Sequence, residues 1–476
     1  MSIDAELAFA PATEHLRLIA DKQISPVELT QLYLDRIDEL NPRLHAYLRL
    51  TRDEAMQMAR SAEDTVVRGV SDLGPLHGLP VSIKETQMIK GVPATAGSIV
   101  YADRVATADS AVVERLRGAG AVILGKTNVS EFAMVGTCEN TVGEKGCNPW
   151  NPECTPGGSS GGAAAAVAAG LCSAATGSDG GGSIRIPSNF CGVYGIKPIL
   201  GRVSHYAGSD EPPAMNLFSQ NGPLTRTVGD AAILLQTLAG FDRRDVNSLR
   251  DQPPDFVAAT ETDIAGLRIA WSPDFGFAEV DDEVVDVTWK AAQVFEELSC
   301  TVEEVALEIA PPYDTFGPLL DAGSHASLGQ FLETHGDRLT SFARFLIQRG
   351  PRTTAEYAAA LGQIALLKAR LADLFEDFDL LLSPVACFPA FPYGEFPGEK
   401  MSGKSAYPEQ YWNGAFTMPI NVSGHAASSI PAGFTSDGLP IGLHIVGGKR
   451  GEAVVLAASA AFERVRPWVN DRPPVS

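Results

Sequence analysis

The sequence predicts an α/β fold in which helices pack in layers on a sheet of short, buried strands. Two observations support this prediction. Short apolar segments bounded by Gly or Pro alternate with segments whose apolar residues recur at helical spacing. The alternation begins near residue 25 and recurs after residue 226, with no linker and no internal repeat in between. Such a pattern is typical of helices layered on a sheet.

The first clearly marked helix is predicted from its start signals. Ser25 suits the N-cap, Pro26 the first turn and Glu28 the third helical position. Apolar residues at positions 32, 34, 37 and 40 then recur near helical spacing. The Asn41-Pro42 pair predicts that the helix stops there.

The remaining elements follow in order along the chain. Strands are predicted where short apolar runs lie between turn residues, and helices where the apolar period approaches 3.6. The predicted elements are a strand at 79–84, a helix at 110–118, a strand at 120–125, a helix near 228–239, a strand at 267–271, a helix near 282–298, mostly helical structure over 311–375, a strand at 380–382 and a loop over 387–402.

Composition and charge limit the classes of function. The chain has 476 residues, of which 45% are hydrophobic and 20% charged, as is ordinary for a globular enzyme. Its net charge of -21 argues against binding to a nucleic acid backbone or to an anionic membrane surface. The first residues, MSIDAELAFAPATEH, lack the basic start and apolar run of a secretory signal, so a cytoplasmic location is expected.

The seven cysteines predict free thiols, because their number is odd and no signal peptide precedes them. Cys138, Cys147 and Cys154 lie within 17 residues of one another but lack CxxC spacing. Buried thiols are therefore preferred to a zinc site, and no metal is predicted.

Two glycine-serine segments stand out, PGGSSGG at 156–162 and GSDGGGSIR at 177–185. Glycine lets the backbone approach a ligand closely, and successive free N–H groups can hold an anion. That anion could be a phosphate or the oxyanion of an acyl-transfer intermediate. Neither segment has the Lys of a GxxxxGK[ST] loop, which disfavours nucleotide binding. Taken alone, the segments also allow plain flexible loops.

Several motifs in the same order resemble the amidase signature family. They are the helix at 25–40, GPLHGLPVSIK at 74–84, GKTNVSEFA at 125–133, NPW at 148–150, PGGSSGGAAAAVAAG at 156–170, GSDGGGSIRIPSNFCGVYGIKPILGRVS at 177–204 and GLPIGLHIVG at 438–447. The similarity is dense over 75–227, sparse over 240–375 and returns over 378–460. The resemblance implies one amidase signature domain over 1–476, an α/β/α sandwich around a large mixed central β-sheet. The helical segment at about 311–375 is then its more variable part.

The resemblance also assigns roles to individual residues. It implies a Ser–cis-Ser–Lys triad, with Ser183 as the nucleophile, Ser159 as the bridging serine and Lys84 as the base. Ser159 would follow a cis peptide bond from Gly158. The implied oxyanion hole consists of the backbone N–H groups of Gly180, Gly181, Gly182 and Ser183. The implied chemistry needs no metal and no organic cofactor.

This chemistry is consistent with the residues themselves. A serine hydroxyl is a weak nucleophile until a base accepts its proton, and none of the eight histidines lies in a GxSxG context. A lysine can be that base only when it is neutral, and burial lowers its pKa. Lys84 ends the apolar segment LPVSI, where a desolvated lysine is expected. Ser160, Asp179 and Arg185 are interpreted as structural supports, and Cys191 as a packing residue.

Two departures from the family pattern bear on specificity. Gly180 stands where the family often has Thr or Ile, which predicts a more open oxyanion loop. Gly414 stands where glutamine-using amidotransferase subunits carry an acid that pairs with the amino group of glutamine, which argues against glutamine as the ammonia donor. Nearby aromatic residues either line an apolar pocket or simply pack the loop; they are Phe388, Phe391, Tyr393, Phe396, Tyr407, Tyr411, Trp412 and Phe416.

The leading hypothesis is an amidase acting on a small apolar or aryl amide. A carbamate or ester hydrolase with the same triad is an alternative. So are an ammonia-releasing subunit of an aminoacyl-tRNA amidotransferase, which would need partner chains, and a non-catalytic anion-binding protein. The expected partner is a small-molecule amide or carbamate, with no nucleic acid and no membrane. A homodimer and a lid formed by residues 311–375 are both left open.

Overall fold

An 11-stranded mixed sheet organises the chain. The computed structural model describes residues 3–208, 217–395, 397 and 413–476. The strands are β1 (Tyr47–Leu50), β2 (Pro80–Lys84), β3 (Val122–Thr127), β4 (Ala174–Asp179), β5 (Tyr194–Lys197), β6 (Gln220–Thr225), β7 (Arg268–Trp271), β8 (Thr301–Glu304), β9 (Leu380–Pro384), β10 (Ala427–Phe434) and β11 (Pro440–Gly447). Their order across the sheet is β1-β3-β2-β4-β6-β5-β10-β11-β9-β7-β8. β2 runs parallel to both β3 and β4, whereas β4 and β6 are antiparallel.

The sheet is covered on both faces, which confirms the layered α/β fold. Alternate residues of a strand point to opposite faces, and here they enter different hydrophobic clusters. Ile123 belongs to one cluster, whereas Val122 and Leu124 belong to another. At the other side of the sheet, Leu381 is separated in the same way from Leu380. A strand buried on both faces is continuously apolar, which is why these segments are readable in the sequence.

Helices form the layers on the sheet, and those predicted from the sequence are present. The helices of the described residues are Ile3–Phe9, Ala12–Ala20, Pro26–Leu44, Arg52–Val67, Ala111–Gly118, Gly161–Ala168, Arg185–Cys191, Val228–Leu238, Phe256–Ala259, Asp282–Glu297, Phe316–Leu328, Gln330–His335, Ser341–Arg349, Thr354–Asp377, Thr417–Ser423 and Glu452–Val465, with 3-10 turns at Ile99–Tyr101 and Glu131–Ala133. None of the helices that the structure describes combines the length and apolar character that crossing a membrane requires. Of the predicted loop at 387–402, residue 396 and residues 398–402 lie outside the described residues.

The helix Pro26–Leu44 has the predicted start but not the predicted end. Ser25 accepts the N–H groups of Val27 and Glu28, and the Glu28 side chain bonds back to Ser25. The prediction that Asn41-Pro42 stops the helix is wrong, because Pro42 lies within its last turn. A proline there removes only one hydrogen bond, and the next turn still closes through His45 N–H to the Asn41 carbonyl at 2.8 Å.

The topology places two chemically important segments at one edge of the sheet. β2 ends at Lys84 and its parallel neighbour β4 ends at Asp179. Carboxyl ends of parallel neighbours meet at the same edge, where α/β sheets commonly bind ligands. The loop before the helix Gly161–Ala168 and the turn before the helix Arg185–Cys191 reach this edge as well.

Candidate active site

A cavity of about 530 Å³ opens at this edge of the sheet. Ser159, Ser178, Gly180, Gly181 and Ser183 all line it. The two glycine-serine segments of the sequence therefore meet at one site. A volume of this size is typical of a small-molecule pocket.

Lys84 is fully buried beside the cavity wall. Its Nζ donates hydrogen bonds to Ser159 Oγ at 2.8 Å and to the Ser178 carbonyl at 3.1 Å. Burial lowers the pKa of this amine to about 7, although the negative charge of Asp179 opposes the shift. Near neutral pH, much of Lys84 is therefore uncharged and able to accept a proton.

Ser159 lies in the loop that leads into the helix Gly161–Ala168. The Gly158–Ser159 peptide bond is cis, as the resemblance implies. A Cβ atom at Gly158 would overlap the Thr137 carbonyl, so only glycine fits this close approach. The loop thus brings Ser159 Oγ between the buried amine and the cavity.

Ser183 is half-buried in the turn between β4 and the helix Arg185–Cys191. Its carbonyl accepts the Ser160 N–H at 3.1 Å, which ties the two glycine-serine segments together. Within the part of the chain that the structure describes, no hydrogen bond joins the Ser183 hydroxyl to another side chain. Among the described residues, nothing engages the hydroxyl at the cavity wall.

Asp179 organises the turn that carries Ser183. Its carboxylate accepts the backbone N–H of Gly182 at 2.7 Å and that of Ile184 at 3.1 Å. Arg185 donates to the same carboxylate through Nε and a terminal nitrogen, each at 2.9 Å. Burial alone would raise the pKa of Asp179, but the Arg185 charge and hydrogen bonds hold it well below its usual range. The carboxylate is therefore a permanent anchor of the turn.

This anchor sets one member of the predicted oxyanion hole apart from the other three. Gly182 donates its N–H to Asp179, is buried and lies away from the cavity wall. Its φ of +119° and its contact with Thr417 explain why glycine is required there. In the described structure, the N–H groups of Gly180, Gly181 and Ser183 carry no such bond.

Two residues that the sequence did not single out complete the support. Asn421 donates to the Asp179 carbonyl at 2.7 Å and to its carboxylate at 2.9 Å. His444 Nε2 lies 3.0 Å from a terminal nitrogen of Arg185, and burial lowers its pKa well below the ordinary value. A neutral His444 can accept this hydrogen bond. GLPIGLHIVG belongs to the resemblance, but no local pattern predicts that His444 contacts Arg185 259 residues away.

The family comparison agrees with this geometry. The family model described as Amidase matches residues 28–456. The chain belongs to the amidase signature family. As a member of that family it is an amidase, and it is 36% identical to an acylamidase of Rhodococcus erythropolis over 99% of this chain and 98% of the relative.

Two further comparisons extend this relationship. The enzyme is also 36% identical to a glutamyl-tRNA(Gln) amidotransferase subunit of Thermosynechococcus vestitus, over 96% of this chain and 98% of that protein. Its fold matches the crystal structure of a bacterial aryl acylamidase with a TM-score of 0.89 and 33% identity, covering 97% of each chain. The fold and the family are thus shared. The names of these relatives nevertheless specify different activities, acylamidase and aryl acylamidase on one side and glutamyl-tRNA(Gln) amidotransferase on the other.

The apolar wall of the amidase cavity differs from the one considered from the sequence. Phe388, Phe391 and Phe416 are buried in the core, and Tyr393 donates to the Gly146 carbonyl at 2.7 Å. The remaining members of the set, Phe396, Tyr407, Tyr411 and Trp412, lie outside the described residues. The described apolar wall instead comes from the helices of the variable segment and from two loops, with Phe132, Met134, Phe218, Phe316, Leu319 and Leu346.

Gly414 does line the cavity, where it lies against Met418. No Asp or Glu is found among the described residues of the cavity wall. A carboxylate that could pair with the amino group of glutamine is therefore absent from the described wall.

The cysteines of the amidase are free thiols where the structure describes them. Cys138 is fully buried, and burial raises the pKa of its thiol to about 12. The described residues contain no group of three or more His, Cys, Asp or Glu side chains arranged to hold a metal ion.

Proposed function

We propose that the enzyme hydrolyses a small apolar or aryl amide through an acyl-enzyme on Ser183, with Lys84 as the base and Ser159 as the relay. The observation that carries the proposal is the 2.8 Å hydrogen bond from Lys84 Nζ to Ser159 Oγ at a site where burial lowers the lysine pKa to about 7. A neutral amine bonded to one serine and adjoining a turn with a second serine fits nucleophile activation.

The proposed cycle moves one proton along this row of groups. Lys84, acting through Ser159, accepts the proton of Ser183 as Ser183 Oγ attacks the amide carbonyl. The proton then returns through Ser159 to the leaving amine, and the C–N bond breaks. Water enters, gives its proton to the same relay and cleaves the acyl-enzyme, which releases the acid and restores Ser183.

The oxyanion would be held by backbone N–H groups of the turn. Gly180, Gly181 and Ser183 are the donors in this proposal, because Asp179 occupies the Gly182 N–H. Losing one such donor typically costs about 3 kcal/mol of transition-state stabilisation. Asp179 and Arg185 act by fixing the turn, since neither lines the cavity.

The apolar wall supports the proposed substrate class. Phe132, Phe218 and Phe316 offer aromatic surface to an aryl or alkyl group. The relatives named acylamidase and aryl acylamidase support the same class. A carbamate or an ester would satisfy the same acyl-enzyme chemistry, so these carbonyls remain the alternative substrates.

A second candidate is the release of ammonia from glutamine in a multi-subunit complex. The 36% identity to a glutamyl-tRNA(Gln) amidotransferase subunit favours it. The absence of an acid from the described cavity wall, including at Gly414, disfavours it. A small-molecule amide remains the better-supported substrate.

Covalent labelling tests the nucleophile. A fluorophosphonate should add once per chain, on Ser183, and Ser183→Ala should prevent the addition. Ser178 also lines the cavity, so Ser178→Ala is the matched control and should still be labelled on Ser183. Label found by peptide mapping on Ser178, Ser160 or a cysteine would refute the assignment.

A hydrolysis screen tests the substrate class. Aryl amides, aliphatic amides, carbamates and esters of matched acyl length should be compared by kcat/KM. Aryl or apolar amides should give the highest values, and Ser183→Ala should lower them by several orders of magnitude. Higher values for carbamates or esters would support the alternative.

A further inference from the structure

The cavity wall contains one charged residue that the proposed chemistry does not use. Of the described residues lining the cavity, Arg104 alone carries a formal charge at neutral pH. His205 also lines it, but burial lowers its pKa, so it is neutral there. As far as its described residues go, the cavity therefore combines an apolar wall with a single cationic group.

The Arg104 side chain is held in a defined orientation. Its Nε donates to the Ala94 carbonyl at 2.6 Å, and its own carbonyl accepts the Ala94 N–H at 2.8 Å. The guanidinium carbon lies 4.1 Å from the centroid of the Tyr101 ring. The Tyr101 ring in turn packs edge-on against Phe132 and Phe331. An oriented guanidinium loses little further freedom when it binds a planar anion.

Two carboxylates that are buried or half-buried, those of Glu85 and Asp109, have partners other than Arg104. Glu85 accepts the N–H and hydroxyl of Thr95 and pairs with Lys126 at 3.3 Å. Asp109 accepts the Lys90 N–H at 2.7 Å and pairs with Arg117 at 3.0 Å. Within the described ranges, Arg104 forms no ion pair. Its terminal nitrogens are thus available to a ligand in the cavity.

The surroundings strengthen such an interaction. Phe132 and Phe316 give the cavity apolar surface, and hydrogen bonds to an anion are stronger where water is displaced by such surface. A sphere with the cavity's volume would be about 10 Å across, which leaves room for more than the scissile amide. A substrate that fills it needs an apolar body and one group that matches Arg104.

We propose that Arg104 binds a carboxylate of the substrate, so that the preferred substrates are amides with an apolar body and a carboxylate away from the scissile bond. This inference rests on the proposed function, because it assigns the substrate of the same cavity. It also predicts discrimination against amines in the cavity, since a substrate ammonium group would face a like charge and no acid on the described wall.

Two pairs of anilides test the inference. In the first pair, the carboxylate is on the acyl arm: adipic acid monoanilide is compared with 6-methylheptananilide, in which an isopropyl group of similar shape replaces it. In the second pair, it is on the amine arm: N-(4-carboxyphenyl)hexanamide is compared with N-(4-isopropylphenyl)hexanamide. In the unmodified enzyme, the carboxylate compound of at least one pair should have a kcat/KM at least about tenfold higher than its isopropyl counterpart, mainly through a lower KM.

Three variants test whether the preference for a carboxylate comes from Arg104. Arg104→Met should reduce the carboxylate-to-isopropyl ratio at least about tenfold, and Arg104→Lys should retain part of it because the charge stays but the planar fork is lost. Arg250→Met is the matched control, since Arg250 also lies over an aromatic ring, that of Phe241, but outside the cavity. The ratio should not change in this control.

The outcomes separate this inference from the proposed function. If the neutral anilides are hydrolysed but neither carboxylate improves kcat/KM, or if the preference survives Arg104→Met, the inference is refuted and the function stands. If no anilide is hydrolysed, calorimetric binding of 6-phenylhexanoate against 6-phenylhexanamide decides the inference instead, and the proposed function fails when the aliphatic amides of the hydrolysis screen are not hydrolysed either. Tighter binding of the acid that weakens at least tenfold in Arg104→Met supports the inference, and equal binding overturns it.

Discussion

Replacing Lys84 with Met removes the charge and keeps most of the side-chain volume. Burial lowers the Lys84 pKa from 10.5 to about 7, which corresponds to about 5 kcal/mol of unfavourable free energy for the charged form. Below pH 7 the amine is protonated in both states, so the folded protein bears this whole cost. Between about pH 7 and 10.5 the folded state binds fewer protons than the unfolded state, and stability rises with pH. Above that window the cost disappears.

The expected stability change at pH 7 follows from these values. The cost relieved by Lys84→Met is about 4 kcal/mol there, because the folded amine is half protonated. The variant also loses the hydrogen bonds to Ser159 and Ser178, worth about 1 kcal/mol each. The net gain is about 2 kcal/mol, which for a chain of this length raises Tm by about 2 °C. Lys84→Ala should gain less, because it leaves a void.

Activity should change in the opposite direction. In the unmodified enzyme, kcat/KM should rise with pH along one limb with its midpoint near 7, as Lys84 becomes neutral. Lys84→Met should lower kcat by several orders of magnitude. The measurements are a pH–rate profile on an aryl amide and thermal melts of the same preparations.

Lys197→Met is the matched control for this experiment. Lys197 is also fully buried, burial lowers its pKa to about 7, and it donates to the Pro198 and His425 carbonyls away from the cavity wall. Its replacement should leave the midpoint of the limb in place. If Lys84→Met kept more than about a tenth of kcat with the same limb, Lys84 would not be the base.

The remaining predictions concern the turn and the substrate. Asp179→Asn should destabilise the fold by about 3–5 kcal/mol and lower kcat, because Arg185 is left as an unpaired buried charge. The control is Asp251→Asn, whose side chain is 27% exposed, and thermal melts should show a far smaller loss of stability for it. Equal losses in the two variants would contradict this role of Asp179. Glutamine should be a poor substrate, because the described cavity wall offers no carboxylate to its ammonium group; a kcat/KM for glutamine equal to that of a good aryl amide would show that the interpretation of Gly414 is wrong.

The sequence predicted those elements whose signal is local. The start of the helix Pro26–Leu44 is encoded in four consecutive residues, and the strands β2 and β9 were recognisable as short, mainly apolar segments because both of their faces are buried. The end of the helix Pro26–Leu44 was mispredicted at Pro42, because a proline removes its own hydrogen bond but leaves the following turn able to close through His45 N–H to the Asn41 carbonyl. The glycine-serine segments and Lys84 were recognisable from a resemblance in motif, which fixes residue types and order along the chain.

What those motifs leave open is decided by contacts between residues far apart in the sequence. Lys84 and Ser159 are 75 residues apart, and the lysine pKa falls only because the folded chain excludes water from both. The donors of the proposed oxyanion hole depend on which N–H groups Asp179 leaves free, and Gly182 cannot be told from its neighbours in a run of three glycines. The position of Arg104 in an apolar cavity comes from loops and from helices of the variable segment that meet only after folding. Local sequence fixes periodicity and backbone freedom, whereas electrostatics and hydrogen-bond partners are properties of the folded surroundings.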